Sequence, residues 1–256
     1  MKIVVVIPAR MASSRFPGKI LFPIYGLPMI EHVRRRALIP KSIAEVVVAT
    51  CDNEIASVVR SFGGNVKMTS KEHENGTTRA AEAIKNINCT HVMLIQGDEP
   101  LLLPRHIDAF AKAIELDPTA EAWNATCPIE HPDELDRHSF VKCAIGSLDR
   151  ILYCFRRSPC FSDFNKQQAF VRKLLGIISF RKDFLITLAG ISPSPNELSE
   201  AIEQMRILEN NYSLKSVPVQ PGLASVNEPE DVDIVLDYMQ SNAEQLNLLK
   251  LILKAT

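Results

Sequence analysis

Three cations and two hydroxyls crowd into one short stretch, Pro8-Ala9-Arg10-Met11-Ala12-Ser13-Ser14-Arg15-Phe16-Pro17-Gly18-Lys19. Backbone N–H groups in such a turn, with two Arg forks and a Lys point charge beside them, make a cradle for a triphosphate. The stretch fits neither common phosphate-binding pattern. In G-x-x-x-x-G-K-[ST] a hydroxyl follows the lysine, whereas Ile20 follows Lys19, and G-x-G-x-x-G is absent. From charge alone, a solvated basic loop accounts for these residues as well as a cradle does. Folding should have little need of Arg10 or Lys19 in a loop of charged and small residues.

The elements that must position this loop are legible in the apolar runs. Ile3–Ile7 reads as a strand buried on both faces, since such strands are apolar throughout rather than alternating. Val46–Thr50, Val66–Met68 and His91–Ile95 read as further strands. Helical patterns run over Pro28–Leu38, Asn53–Phe62 (with Asp52 at its N-cap), Thr77–Asn86 and Pro104–Leu116. This alternation implies an α/β fold with a mostly parallel sheet flanked by helices. Ligands of such sheets bind at the carboxyl ends of the strands. That rule selects Pro8–Lys19, Thr50–Asp52 and Gln96–Pro100.

From about Thr126 the pattern changes to strands at Phe140–Ile145, Ile151–Phe155 and Leu175–Phe180, then one helix over Asn196–Glu209. We read a single domain over residues 1–256, with an antiparallel extension or lid at about 126–210. Pro229–Met239 and Gln245–Lys254 close the chain as amphipathic helices.

The 256 residues are 46% hydrophobic and 23% charged, enough apolar material for a substantial core. With 29 Lys and Arg against 30 Asp and Glu, the chain has no global basic field for nucleic acid or an anionic membrane. The opening apolar run meets Pro8 and is too short for a signal peptide or a membrane span, so the cytoplasm is expected. The six cysteines never approach C-x-x-C spacing, which argues for reduced thiols over a zinc knuckle.

Particular residues carry a family resemblance. Pro8-Ala9-Arg10, Ser13, Arg15 and Pro17-Gly18-Lys19, with Gly26 and Pro28-Met29-Ile30 behind them, resemble the start of the CMP-Kdo synthetases, the 3-deoxy-manno-octulosonate cytidylyltransferases. The likeness continues through Val48-Ala49-Thr50, His73, Gly76-Thr77, Arg79 and Gln96-Gly97-Asp98-Glu99-Pro100. It returns at Val141-Lys142, Arg156, Leu175-Gly176, Glu203-Gln204 with Arg206-Ile207-Leu208, and Glu228-Pro229-Glu230-Asp231.

The resemblance implies a nucleotidyltransferase fold, a homodimer, Mg²⁺, CTP and a sugar-acid acceptor. It also implies attack of an acceptor hydroxyl on the α-phosphate, with pyrophosphate released. Through its product it implies lipopolysaccharide biosynthesis. Arg10, Arg15 and Lys19 would then neutralise phosphate charge, and Ser13 would donate to a phosphate oxygen. Pro8, Ala9, Thr50, His73, Gly76, Thr77 and Arg79 would hold the nucleotide, Thr77 also capping its helix. Gln96, Lys142, Arg156, Glu203 and Gln204 would face the acceptor, and Asp98 would bind the metal. Arg10, Lys19 and Asp98 would be catalytic.

Three departures from the family pattern stand out. Cys51 occupies an expected Asp position, with Asp52 one residue on. Asn227 stands where a second metal-binding Asp is expected; its amide oxygen can ligate Mg²⁺ without charge, or it can cap the helix that follows. Apolar Leu174 and Ile178 flank Leu175-Gly176-Ile177 where polar sugar-binding groups are expected. These departures keep two alternatives open: a cytidylyltransferase for another acid (an amino-Kdo, another nonulosonate or a phosphonate) and a weakened nucleotide-binding paralogue.

Overall fold

A computed structural model describes residues 1–13, 15–160 and 162–254. The chain divides into two compact units, Met1–Asp108 with Leu223–Thr256, and Ala109–Gly222. The second unit therefore begins before residue 126. A strand unforeseen in the sequence, over 122–128, belongs to it.

In the first unit, β1 (Ile3–Ala9) is buried along its whole length. A short hairpin of β2 (Pro23–Ile24) and β3 (Leu27–Pro28) turns through Tyr25-Gly26, both at positive φ. Helix α1 (Met29–Ala37), β4 (Ile43–Thr50), α2 (Asn53–Ser61), β5 (Asn65–Met68), α3 (Gly76–Ala83), β6 (His91–Ile95) and the start of α4 (Pro104–Leu116), whose remainder belongs to the second unit, follow. The strands pair in parallel in the order β6-β1-β4-β5. Their apolar runs make this arrangement because both faces of the sheet lie beneath helices. The carboxyl ends of β1, β4 and β6 open into the three stretches the sequence selects.

The second unit contains β7 (Ala122–Pro128), β8 (Lys142–Ile145), β9 (Ile151–Phe155), α5 (Phe164–Gln167), β10 (Val171–Arg181), α6 (Lys182–Ala189), α7 (Pro195–Glu200), α8 (Gln204–Glu209) and β11 (Leu214–Pro218). Strand β11 is parallel to β7, whereas β7-β10, β10-β8 and β8-β9 are antiparallel. The single helix expected over 196–209 is broken in two. Ala201 adopts a left-handed backbone (φ 53°) that ends α7. The break lets Arg206 of α8 reach back to Glu197 of α7 in a buried fork, Nε to Oε2 at 2.7 Å and Nη2 to Oε1 at 2.5 Å.

The chain then returns to the first unit through α9 (Asp231–Ser241) and α10 (Ala243–Lys254). Val232, Val235, Met239 and Leu249 pack with Ile24, Met29 and Leu101, and Phe16 and Phe22 of the loop after β1 lie against them. Among the described residues no helix is long and apolar enough to cross a membrane.

The Arg206–Glu197 pair generates a stability test. Breaking a buried ion pair from one side strands the other charge. Glu197→Ala is expected to lower unfolding stability by about 3–5 kcal/mol in denaturant titration, and a loss below 1 kcal/mol would mean that α7 and α8 are held otherwise.

Candidate active site

The loop after β1 is wound around one carbonyl. Ser13 N and Gly18 N both donate to Met11 O, at 2.9 and 3.1 Å, and Gly18 sits at φ 74°, where a side chain would be strained. Asp52 fixes the other side of the same residue, its Oδ2 accepting from Met11 N at 2.8 Å. The Thr50 hydroxyl accepts from Asp52 N at 3.1 Å. Asp52 does stand at the N-cap of α2, but with no side-chain capping bond, because its carboxylate serves the β1 loop. The half-buried Cys51 thiol donates to the same carboxylate at 3.7 Å. Pro8 and Ala9 are buried, whereas Arg10 and Arg15 are exposed. Among the described residues Arg10 reaches only Glu74 O, at 3.5 Å. Ser14 lies outside the described residues.

Lys19 is not a dispensable loop residue. It is 9% exposed, and its ammonium donates to Asp98 Oδ2 at 2.5 Å and to Val226 O at 2.8 Å. Val226 N in turn donates to Asp98 O at 2.9 Å, and the Ser225 hydroxyl to Glu99 Oε1 at 2.8 Å. The β1 loop, the turn after β6 and the segment entering α9 are thus braided at one point. Next along that segment, Asn227 Oδ1 and Glu228 Oε1 accept from Arg15 at 3.2 and 3.5 Å. Asn227 caps nothing: α9 starts at Asp231, whose carboxylate accepts from the backbone N–H groups of Asn227 and Glu228.

Gly76 shows how close the neighbouring segment comes. A Cβ there would stand 3.1 Å from Pro8 Cγ, tight enough that the ring would have to give, and in ordinary contact with Gln96 Nε2 at 3.5 Å. Asn75, not Thr77, caps α3, accepting from Thr78 N at 2.9 Å. Thr77 is buried in its first turn. His73 hydrogen-bonds the Glu82 carboxylate, which that bond holds below its ordinary pKa. Arg79 is buried and donates to Thr69 Oγ1 at 2.6 Å and Ser70 O at 3.3 Å, which places its charge beneath this segment.

The second unit treats its nominated residues differently. Lys142 is fully buried and donates to the carbonyls of Arg137, Phe140 and Arg156; burial pulls its pKa down to about 8. Arg156 spends its guanidinium on three carbonyls, those of Glu200, His138 and Ala201, at 2.8–3.0 Å. Lys142 is a tie between loops with its three N–H groups committed, whereas half-buried Arg156 commits three of its five. Glu203 and Gln204 are half-buried, and Gln204 Nε2 donates to Asn124 Oδ1 at 3.0 Å. Leu174 and Ile178 bracket an irregularity of β10, opposite Thr126 and Asn124.

Comparison with known proteins fits this geometry. A cytidylyltransferase family model matches residues 4–216. The 3-deoxy-manno-octulosonate cytidylyltransferase of Geobacter metallireducens is 39% identical over 250 residues, covering 93% of this chain and 98% of its own length. The chain belongs to the 3-deoxy-manno-octulosonate cytidylyltransferase family. The Escherichia coli protein of that name is 35% identical, with 93% of this chain and 96% of its own length covered. A solved CMP:2-keto-3-deoxy-manno-octonic acid synthetase complexed with CTP aligns at TM-score 0.88 and 33% identity, over 94% of this chain and 99% of that one.

In this cytidylyltransferase, the donors near Asp98 can be weighed for a metal. Asp98 offers a carboxylate with one oxygen outside the Lys19 pair, and Asn227 an uncharged amide oxygen. Among the described residues, no group of three or more His, Cys, Asp or Glu gathers around an ion. That set fits Mg²⁺, a hard ion that takes most of its shell from phosphates and water.

Sequence reasoning passed over Glu99, Ser225 and Val226, which brace Asp98. Only the Asp-Glu pairing in Gln96–Pro100 could have flagged Glu99. Burial, then the Asp98 charge, pushes the Glu99 carboxyl up to about 7. A carboxyl raised on folding stabilises below its unfolded pKa and loses that contribution as pH rises through the folded value. Glu99→Gln keeps an oxygen for Ser225 and removes the titration. Relative to wild type, the variant should therefore gain on the order of 3 kcal/mol between pH 4.5 and pH 8. Melting curves at the two pH values check this; a pH-independent difference would place Glu99 in water.

Proposed function

We propose that this chain transfers CMP from CTP to a sugar acid, 3-deoxy-manno-octulosonate or a close relative, with release of pyrophosphate. The observation that carries the reading is the Lys19–Asp98–Val226 braid at the carboxyl ends of β1 and β6, with Arg10 and Arg15 presented from the same loop. Charge develops on phosphoryl oxygens as the acceptor hydroxyl oxygen bonds to the α-phosphorus and the bond to the bridging oxygen breaks. Fixed cations answer that charge without reorganising. Arg10, exposed and held by a single long contact, is free to swing onto a triphosphate. Arg15 would exchange Asn227 and Glu228 for phosphate oxygens. Lys19 stays put and holds Asp98 oriented. Asp98 and Asn227 would hold Mg²⁺, which when bound neutralises phosphate charge. The segment around Gly76, closed against Pro8 and Gln96, would hold the base, with His73 and Arg79 fixed beside it. The protein acts as a cytoplasmic homodimer that feeds lipopolysaccharide assembly.

A second acceptor reading, an acid less rich in hydroxyls, is favoured by Leu174 and Ile178. Apolar side chains against a polyol leave its hydroxyls unpaired. Pyrophosphate release from CTP, measured with 3-deoxy-manno-octulosonate, its amino analogue, other nonulosonates and phosphonates, decides between them. Silence with every acid would end the functional reading. On the true acceptor, Arg10→Ala should lose about 2–4 kcal/mol of transition-state stabilisation with an unchanged melting temperature. Lys19→Ala should lose activity and stability together, because its partners are left unpaired.

Asn227→Asp tests the metal assignment by adding a carboxylate next along the chain from Val226, whose N–H meets Asp98 O. At an effective dielectric of 20, a unit-charge pair 4 Å apart gains about 4 kcal/mol, of which desolvation and repulsion cancel much. The Mg²⁺ concentration for half-maximal rate should fall in the variant. An unchanged Mg²⁺ titration would remove Asn227 from the metal shell.

A further inference from the structure

Arg36 lies on α1 with no exposed surface, and its guanidinium meets only neutral oxygens. Nη1 donates to Leu102 O at 3.1 Å and to Gln245 Oε1 at 2.8 Å. The other edge of the fork, Nε and Nη2, is buried too and has no protein partner among the described residues. That edge is the one this chain elsewhere closes on a carboxylate. Arg34 sets Nε and Nη2 against the two oxygens of Glu31, each at 2.7 Å, and Arg206 does the same with Glu197. Parallel N–H groups on one planar edge match an anion, which is why the pairing recurs.

Among the described residues, no charge answers Arg36. Glu31, the one acid of the helix, is taken by Arg34 and Arg35. His32, one turn earlier on the same face, is neutral at neutral pH, because burial and the nearby guanidinium groups lower its pKa to about 4. Helix ends do not make up the difference. The last turn of α1 offers about half a negative charge, whereas Gln245 belongs to the first turn of α10, which offers about half a positive one. An uncompensated guanidinium out of water is costly, and a water molecule would satisfy its N–H groups without answering its charge. We infer that the Nε–Nη2 edge of Arg36 binds a small monovalent anion, chloride or a carboxylate no larger than formate, where α1, the turn after β6 and α10 meet. One negative charge balances one guanidinium, and the full enclosure of Arg36 excludes a phosphate. Because α10 supplies Gln245, the ion is caged when that helix docks.

Chloride and bromide are the probes, on the full chain. With sodium chloride set against sodium gluconate at equal ionic strength, wild type should melt higher in chloride. Once chloride exceeds its Kd, each tenfold increase should add about 3–5 °C to the melting temperature. Arg36→Met keeps an apolar stem and removes the charge, so its melting temperature should be the same in both salts. Arg10→Ala should keep the chloride shift, which separates this site from the cations of the β1 loop. In crystals soaked in sodium bromide, an anomalous peak is expected beside Arg36 Nε and Nη2. Equal melting of wild type in the two salts overturns the assignment, as does a chloride shift that survives in Arg36→Met or disappears in Arg10→Ala. A bromide map with no peak beside Arg36 overturns it as well and leaves internal water as the partner. That map is read on wild type, so the assignment stays testable even if Arg36→Met fails to fold.

Discussion

The Lys19 ammonium is the point on which the first unit depends. It is held away from water by one carboxylate and one carbonyl, those of Asp98 and Val226, supplied by segments distant in sequence. A buried charge is tolerable only when paired and hydrogen-bonded, so each partner must arrive for the others to be stable there. The arrangement settles three things at once. It closes the β1 loop, it orients the carboxylate nominated for the metal, and it fixes where residues 223–256 rejoin the parallel sheet. Glu99 then sits beside Asp98 in a setting that disfavours a second negative charge, and this is why its proton is held so firmly.

The same logic operates on the other flank of α1. Every residue of this helix is buried, including Glu31, Arg34, Arg35 and Arg36. Glu31 receives both Arg34 and Arg35, while Arg35 also donates to Ile252 O at 2.6 Å and Arg36 to Gln245 Oε1 at 2.8 Å. Gln245 answers with Nε2 to Leu101 O at 2.7 Å. Burial lowers the Arg36 pKa to about 10 and that of His32 to about 4, so at neutral pH His32 adds no charge to this crowded helix. The closing helices are therefore fastened at both ends, by the braid at Val226 and by the α1 guanidinium groups.

Much of this was legible from the chain alone, and the boundary of legibility is physical. Strands β1, β4 and β6 announce themselves because burial on both faces demands uninterrupted apolar residues. The loop motif and Asp98 stand out through the family resemblance, since by charge and turn chemistry alone a solvated loop and an ordinary turn serve as well. Three kinds of feature were hidden. The break at Ala201 depends on a left-handed alanine flanked by the Glu197–Arg206 pair, which a helical repeat does not encode. The surroundings of Lys142 and Arg156 are carbonyls that only the folded chain gathers, so the ties these two cations make between loops are invisible in the sequence. Strands β7 and β11 lack clear apolar runs, since Asn124, Thr126 and Ser216 interrupt them. Those interruptions are buried, and Thr126 and Ser216 bond each other at 2.7 Å.

The first unit is assembled from both ends of the chain, and this has a consequence for its biosynthesis. A ribosome delivers residues 1–108 early, with β1, β4, β5 and β6 ready to pair, and then makes the whole of the second unit before Leu223 emerges. During that interval Asp98 and Lys19 lack Val226, and α1 carries its guanidinium groups without Gln245 or Ile252. The nascent sheet must wait with an unfinished wall. The candidate site is thus completed only after the second unit has been made and has had time to fold by itself. A growing chain of this kind is kept inactive by the order of its own sequence.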